Sequence, residues 1–224
     1  EYVEHRRASG VSIRFVLRSG MASEDRVQQT RHEPTEASQL SSNRARFKGP
    51  SRPVFRSKTV RDMVCILDVN PGVRSWSCPP PPLAVGRGGY TPDLHMEDTD
   101  GTSWLLDAPD RKVPFELGIV VEAARAHSHR YRVVDRSEIY EGFRLQNAKD
   151  LLRYVGHNVP LGDRVRLLSV LDEHGPLSLA DCLRVVRETQ PVPALASLIL
   201  QGLLEVELDE ALIGPETMVR RIRA

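Results

Sequence analysis

Apolar residues recur along the chain at two spacings, one typical of helices and the other typical of strands. Between residues 59 and 67 they recur at i, i+3, i+4 and i+7, which predicts a helix that Asn70-Pro71-Gly72 ends. Residues 90–96 and 103–108 instead have the composition of strands, and the acidic, glycine-containing segment between them predicts a turn. The sequence therefore predicts an antiparallel hairpin that follows a helix.

The same two spacings continue on both sides of this hairpin. A short strand is predicted at 73–77, before the hairpin; a helix over 115–126, a strand over 131–134 and a helix over 144–154 follow it. Strands that alternate with helices are typical of α/β proteins in which helices cover a mixed sheet. We therefore expect an α/β core over residues 53–158.

Residues 159–224 form a second predicted unit. Its predicted elements are helices over 163–174, 178–187 and 191–203, followed by strands over 204–208 and 212–222. Three helices and then a hairpin is the order of a winged-helix domain. The third helix has no basic residue, whereas helices that read DNA usually present basic or amide side chains. We therefore expect a protein-contact or structural role for this unit and not base reading. Its candidates for phosphate contact are Arg184, Arg187, Arg220, Arg221 and Arg223.

The N-terminal segment 1–52 is predicted to be a basic arm, partly extended or disordered, with one possible strand at 11–17. The net charge of the chain is only +1, but residues 1–58 hold 12 Lys and Arg against six Asp and Glu, a balance of +6. A basic segment on a mildly acidic body suits contact with DNA phosphates, and a solvated tail that binds nothing is the alternative. The candidate DNA-binding residues are Arg44, Arg46, Lys48, Arg52, Arg56 and Lys58.

Several classes of protein do not fit this sequence. It has no apolar run of about 18 residues and no apolar segment near residue 1, so we expect no membrane span and no secretion signal. Cys65, Cys78 and Cys182 are far apart and form no C-x-x-C pair, which argues against zinc and for a reducing cytoplasm. A nucleotide-binding G-x-x-x-x-G-K-S/T loop is also missing.

Two acids on the predicted hairpin are the main candidates for chemistry. Asp93 lies on the first strand and Asp107 on the second, and paired carboxylates are oxygen ligands that suit Mg²⁺. Nucleases of the PD-(D/E)-x-K type add a Lys two residues after the second acid, where it helps to activate water. Here Pro109 occupies that place, and Lys112 is the nearest lysine after it. His95 alternates with Asp93 along the strand and is a possible neighbour of a metal.

An ordered set of short segments resembles the TnsA-type endonuclease subunit of heteromeric transposases. The last of these segments resembles the end of some bacterial members of that family. The segments are Ser57-Lys58-Thr59-Val60-Arg61-Asp62, Leu67 to Val73, Pro82-Leu83, Tyr90-Thr91-Pro92-Asp93, Leu105-Leu106-Asp107, Tyr131 to Val134, Asn147 to Leu151 and Gly202 to Leu208. The resemblance covers about residues 47–224. It implies a restriction-endonuclease-like sheet, Asp93 and Asp107 as catalytic and metal-binding acids, and DNA and a transposase-like protein as partners.

Two departures from the family pattern change what the resemblance implies. The catalytic Glu of the family's first helix aligns with Val60, and its Lys aligns with Pro109. Our leading hypothesis is therefore a catalytically degenerate nuclease that binds DNA, a partner, or both, with no cofactor. One alternative is a working endonuclease in which Mg²⁺, Lys112, Asp93 and Asp107 act together. The other is a regulator without enzymatic activity, repurposed from a nuclease fold of a mobile element.

Overall fold

The computed structural model describes residues 47–86 and 88–223. The predicted strand at 11–17 and the first two basic candidates, Arg44 and Arg46, lie outside these residues. Everything that the structure describes belongs to one compact unit, Glu36–Ala224. Within the described part of the chain, no helix has the length and the apolar character needed to cross a membrane.

Seven α-helices, one 3₁₀ turn and nine strands make up the described residues. In chain order they are α1 Lys58–Val69, β1 Val73–Ser77, β2 Leu83–Val85, β3 Gly88–Tyr90, β4 Leu94–Asp98, β5 Ser103–Asp107, α2 Leu117–Ala126, β6 Arg130–Val133, α3 Arg136–Tyr140, α4 Arg144–Leu151, the 3₁₀ turn Leu152–Tyr154, α5 Leu161–His174, β7 Leu177–Ser178, α6 Leu179–Val185, α7 Pro191–Leu200, β8 Leu204–Val206 and β9 Met218–Arg221.

A four-stranded mixed sheet with the order β1-β4-β5-β6 forms the centre of the first half. Strands β1, β4 and β5 are antiparallel neighbours, and β6 runs parallel to β5. The connection from β5 to β6 passes through α2, as a parallel pair of strands requires. The predicted α/β class and mixed sheet with helices are confirmed.

Helices and a hairpin cover the two faces of this sheet. Helix α1 starts at Lys58 because the Ser57 hydroxyl accepts a hydrogen bond from the Val60 amide, a standard N-cap. Its apolar stripe packs on one face, against Leu94 and Leu106. Because side chains alternate along a strand, Leu105 points to the opposite face, where α2 and the β2–β3 hairpin cover it.

The predicted strand over 90–96 is wrong in one respect. It is two strands: Tyr90 ends β3 of a small separate hairpin, and β4 begins only at Leu94. Pro92 lies between them and has no backbone N–H to offer a ladder. Helix α3 is also an addition to the prediction, and its N-terminus carries a capping box in which the Asp135 amide donates to Glu138 Oε1 at 2.9 Å.

The second half contains α5, α6 and α7 and a three-stranded sheet with the order β7-β9-β8. The predicted strand over 212–222 is shorter in the structure, because β9 covers only Met218–Arg221. Strand β7 lies between α5 and α6 and was not predicted, since two residues are too few for a periodic signal. A hydrophobic cluster that includes Cys65, Ala148 and Ala196 joins this half to α1 and α4.

Candidate functional site

The two predicted acids lie opposite each other at one end of the mixed sheet. The β4–β5 register pairs Leu94 with Leu106, so that Asp93 and Asp107 follow as the next pair. Both are buried, and each carboxylate accepts a hydrogen bond from the backbone of the other segment. The Asp93 amide donates to Asp107 Oδ1 at 2.8 Å, and the Ala108 amide donates to Asp93 Oδ2 at 3.0 Å. These two hydrogen bonds hold the start of β4 against the end of β5, at the open end of the β4–β5 hairpin.

Two tyrosines complete the surroundings of Asp107. The Tyr131 hydroxyl donates to Asp107 Oδ2 at 2.6 Å, and the Tyr90 hydroxyl donates to the same oxygen. Burial and the neighbouring carboxylate raise the pKa of Tyr90 to about 12, and the same causes raise the pKa of Tyr131. Both phenols therefore stay protonated at neutral pH and act as hydrogen-bond donors to a fully buried carboxylate.

Two arginines surround Asp93, which has a side chain only 1% exposed. Arg56 binds it in a bidentate manner, with Nε 2.7 Å from Oδ1 and Nη2 2.9 Å from Oδ2. Arg111 Nη1 also donates to Oδ1, at 3.3 Å. Arg56 Nη2 reaches a second acid, Asp110, at 2.9 Å. Burial raises the pKa of Asp110, but hydrogen bonds from Ser57 and Arg56 outweigh burial and leave that pKa lowered.

The two positions that depart from the nuclease pattern have defined structural roles. Val60 is fully buried in the core between α1 and the sheet. Pro109 is the second residue of a turn closed by the Arg111 amide, which donates to the Ala108 carbonyl at 2.9 Å. Proline favours that position of a turn because its φ is already suitable. The turn reverses the chain after β5 and brings Arg111 to Asp93.

Arg111, and not the predicted Lys112, is the basic residue of this turn that contacts Asp93. Lys112 is exposed to solvent. Arg56 was predicted as a DNA contact, and the structure places its guanidinium in ion pairs with acids of the same chain. The ion pairs of Asp93 had no signal in the sequence, because Arg56 is 37 positions away from it.

These residues do not fit a magnesium site. Mg²⁺ takes carboxylate oxygens and waters in a near-ideal octahedron. Here both oxygens of Asp93 and both oxygens of Asp107 accept hydrogen bonds from protein donors, and two guanidinium groups stand against Asp93. Over residues 47–86 and 88–223, no group of three or more His, Cys, Asp and Glu side chains has an arrangement that could hold a metal ion.

His95 belongs to a separate polar chain on the same sheet face. Its Nε2 lies 2.7 Å from Ser103 Oγ, which lies 2.7 Å from His129 Nδ1. Burial, and then the neighbouring His129, lower the pKa of His95. His95 therefore contacts a serine, and the structure gives it no role at the acid pair. Helix α2 ends at Ala126, so His129 lies between this helix and β6.

Some of the basic candidates up to the start of α1 bond to other groups of the protein, and others are exposed to solvent. Lys48 Nζ donates to the Asn70 carbonyl at 2.5 Å, and burial lowers the pKa of Lys48. Its side chain is thus occupied within the protein. Arg52 and Lys58 are exposed, and they flank the segment in which Arg56 reaches the acid pair. Among the described candidates of the N-terminal segment, they are the two that suit contact with a phosphate.

The third helix of the C-terminal half is buried. Helix α7 packs on α6 and β8 and also contacts α4, and its buried residues include Leu195 and Leu198. The exposed residues of α7, Pro191 and Val192, lie in its first turn and carry no polar side chain that could read a base. Of the basic candidates in this half, Arg184 pairs with Asp181 at 2.8 Å, Arg221 pairs with Asp172, and Arg187 and Arg220 are exposed.

A comparison with family models and a comparison with curated proteins both found no match to this chain.

Proposed function

We propose that this protein is a catalytically degenerate TnsA-like nuclease that binds DNA without cutting it and acts together with a transposase-like or other DNA-transaction partner. The observation that carries the proposal is the state of Asp93 and Asp107. The two acids share one end of a mixed sheet that has helices on both faces, as the family resemblance implies. Their oxygens are nevertheless used by protein donors and not left for a metal.

Loss of cutting follows from two departures from the family pattern, together with the occupied oxygens of Asp93 and Asp107. Val60 places a methyl-bearing side chain in the core where the family has a carboxylate, and Pro109 places a turn where it has a lysine. Nucleases of this type need a metal-activated water and a positive group beside it. Removal of one such group typically lowers the rate by orders of magnitude, and the effects of several groups that act as a unit are not additive.

DNA binding is the part of the proposal that rests on charge. The basic segment 1–58, with a balance of +6, includes Arg52 and Lys58, which are exposed and stand on either side of Arg56 in the sequence. Basic side chains on an arm bind phosphates through release of counterions and need no defined pocket. The duplex would therefore lie across this end of the sheet, where a nuclease of this fold would engage it.

A role in protein contact suits the C-terminal half. The order of α5, β7, α6, α7, β8 and β9 supports a winged-helix unit, but α7 is packed against the core and its neighbours. On α5, Leu161 and Val165 are 74% and 53% exposed and lie one helical turn apart. Apolar side chains exposed together are a feature of protein interfaces. We assign this half to the partner and not to base reading.

A gel-shift titration in EDTA tests the DNA-binding part. We expect a labelled duplex to be shifted with a Kd of about 10⁻⁴ to 10⁻⁶ M at physiological salt, and more tightly at low salt. The double variant Arg52→Glu/Lys58→Glu is expected to bind about tenfold more weakly, because two phosphate contacts become repulsive.

The matched control is Arg125→Glu/Arg153→Glu, which changes the net charge by the same amount at two exposed arginines paired within their own helical turns. It is expected to bind as the wild type does. Equal losses of DNA affinity in the two double variants would show that binding depends on the net charge of the protein and not on Arg52 and Lys58. No shift by the wild type at low salt would refute the DNA-binding part and leave the partner as the sole ligand.

A further inference from the structure

Two positively charged arginines contact Asp93, which is a single buried carboxylate. Arg56 contributes a bidentate pair at 2.7 and 2.9 Å, and Arg111 contributes a third contact at 3.3 Å. Arginine stays protonated throughout the physiological range, so these contacts carry a formal charge of +2. That is the charge of a divalent cation. Arg111 Nη2 also donates to the Thr91 carbonyl at 2.8 Å, which fixes its guanidinium beside the acid.

We infer that Arg56 and Arg111 supply the charge compensation that a divalent cation supplies to paired acids of this kind, and that they form an ion-pair lock which closes a latent cation site. The expectation of a metal rests on the proposed nuclease ancestry, whereas the lock itself rests only on the contacts. DNA binding is not needed for either.

The free-energy cost of burying the charged Asp93 carboxylate explains why it needs the two arginines. A carboxylate moved into an interior without a partner is strongly unfavourable, and the Asp93 side chain is only 1% exposed. A pair of acids kept for a metal is relieved when the metal binds. Without a metal, Asp93 needs other cations, and a planar guanidinium matches a carboxylate through two parallel hydrogen bonds. Arg56 meets that need with the geometry of a fork.

The lock also fastens three segments of chain together. Arg56 precedes α1, Asp93 precedes β4, and Arg111 is the last residue of the turn after β5. Asp110 holds the outer side of the Arg56 guanidinium at 2.9 Å. A cation that entered between the acids would have to displace both arginines from a charged and hydrogen-bonded position. The wild-type acid pair is therefore expected to exclude divalent ions.

Titration with Mn²⁺, followed by calorimetry and by the electron paramagnetic resonance of free Mn²⁺, tests the lock in the full chain. The wild type is expected to show no saturable site that depends on Asp93. The double variant Arg56→Gln/Arg111→Gln is expected to gain one site that binds Mn²⁺ at least about tenfold more tightly than any site of the wild type. Adding Asp93→Asn to the double variant is expected to abolish that site.

Arg125→Gln/Arg153→Gln is the matched control, because it removes the same charge at the surface and leaves the acid pair unchanged. Saturable Mn²⁺ binding by the wild type that Asp93→Asn removes would overturn the inference. A folded double variant with no gain over this control would overturn it as well.

If the double variant does not fold, Arg56→Gln alone takes its place, because Arg111 still compensates Asp93 in that variant. Melting temperature gives a second readout, since an ion that binds only the folded state raises it. Mn²⁺ is expected to raise the melting temperature of the unlocked variant and not that of the wild type. The DNA gel shift is a separate measurement, so its failure leaves the result on the lock intact.

Discussion

Asp107 is fully buried and accepts hydrogen bonds from the Asp93 amide, the Tyr90 hydroxyl and the Tyr131 hydroxyl. Each donor belongs to a different segment of the chain, so the carboxylate serves as a junction. The ordered resemblance to a nuclease family singled out Asp93 and Asp107 in the sequence; their residue types and spacing alone also suit ordinary capping residues at strand ends and turns. Their partners were not predictable, because tertiary contacts bring donors from distant positions and leave no periodic signal. The same pair of residues suits a metal or a junction, and only the donors around it distinguish the two.

Val60→Glu restores the residue that the family resemblance expects, and we predict that it destabilises the protein. Val60 is fully buried among apolar side chains. An uncompensated charge in such a place typically costs about 3–5 kcal/mol, and part of that cost is avoided by protonation of the new carboxyl. The free energy of unfolding, measured by urea denaturation, should fall accordingly.

Lys58→Glu is the control for Val60→Glu, because it places the same carboxylate at the exposed first residue of the same helix. An acid in the first turn interacts favourably with the helix dipole, so we expect little change or a gain of about 0.3–1 kcal/mol. Wild-type stability in Val60→Glu would mean that the side chain reaches solvent or the acid pair, contrary to its place in the core.

Among the elements, those with an apolar helical stripe or a bounded β-rich run were predicted well, and several short elements without such a signal were missed. Helix α1 and strand β1 lie close to where the sequence places them, since an apolar stripe or a bounded β-rich run is a local property. The β2–β3 hairpin and α3 are too short for such a signal. Asp135 and Glu138 do stand at capping-box spacing, which is the one signal in the sequence for the start of α3.

Asn147 on α4 connects this helix to the loop between β8 and β9. Its buried side chain donates to the Leu208 and Ala211 carbonyls, both at 2.8 Å, and accepts from the Ile213 amide at 2.9 Å. We predict that Asn147→Ala lowers the free energy of unfolding by about 2–4 kcal/mol, because three loop groups lose their partner. Faster proteolysis within the loop should accompany the loss.

Gln146→Ala provides the comparison for Asn147→Ala, because it removes an amide side chain from the neighbouring, exposed position of the same helix. Its effect should stay within about 0.5 kcal/mol. Similar stabilities for the two variants would show that the loop does not depend on Asn147 for its position.

For the molecule as a whole, the sequence predicted two units, and the structure shows how closely they are joined. The cluster of Cys65, Ala148 and Ala196 runs from α1 through α4 to α7, and the described residues lie within one compact unit. Composition along the chain gives the order of the elements but not which apolar faces meet. Gly142 is an example: its φ is +65°, and a Cβ there would lie 2.7 Å from the Asp209 carbonyl oxygen. Only the assembled halves create that constraint.

A plasmid-cleavage assay tests most directly the central claim, that the acid pair Asp93 and Asp107 no longer supports cleavage of DNA. Supercoiled plasmid is incubated with excess wild-type protein and Mn²⁺, beside Asp93→Asn and Lys112→Ala, and the loss of supercoiled form is measured. Lys112 is exposed, so Lys112→Ala is expected to fold as the wild type does. We predict that the plasmid stays supercoiled in every reaction. Cleavage by the wild type that either variant abolishes would contradict the account and establish a working endonuclease.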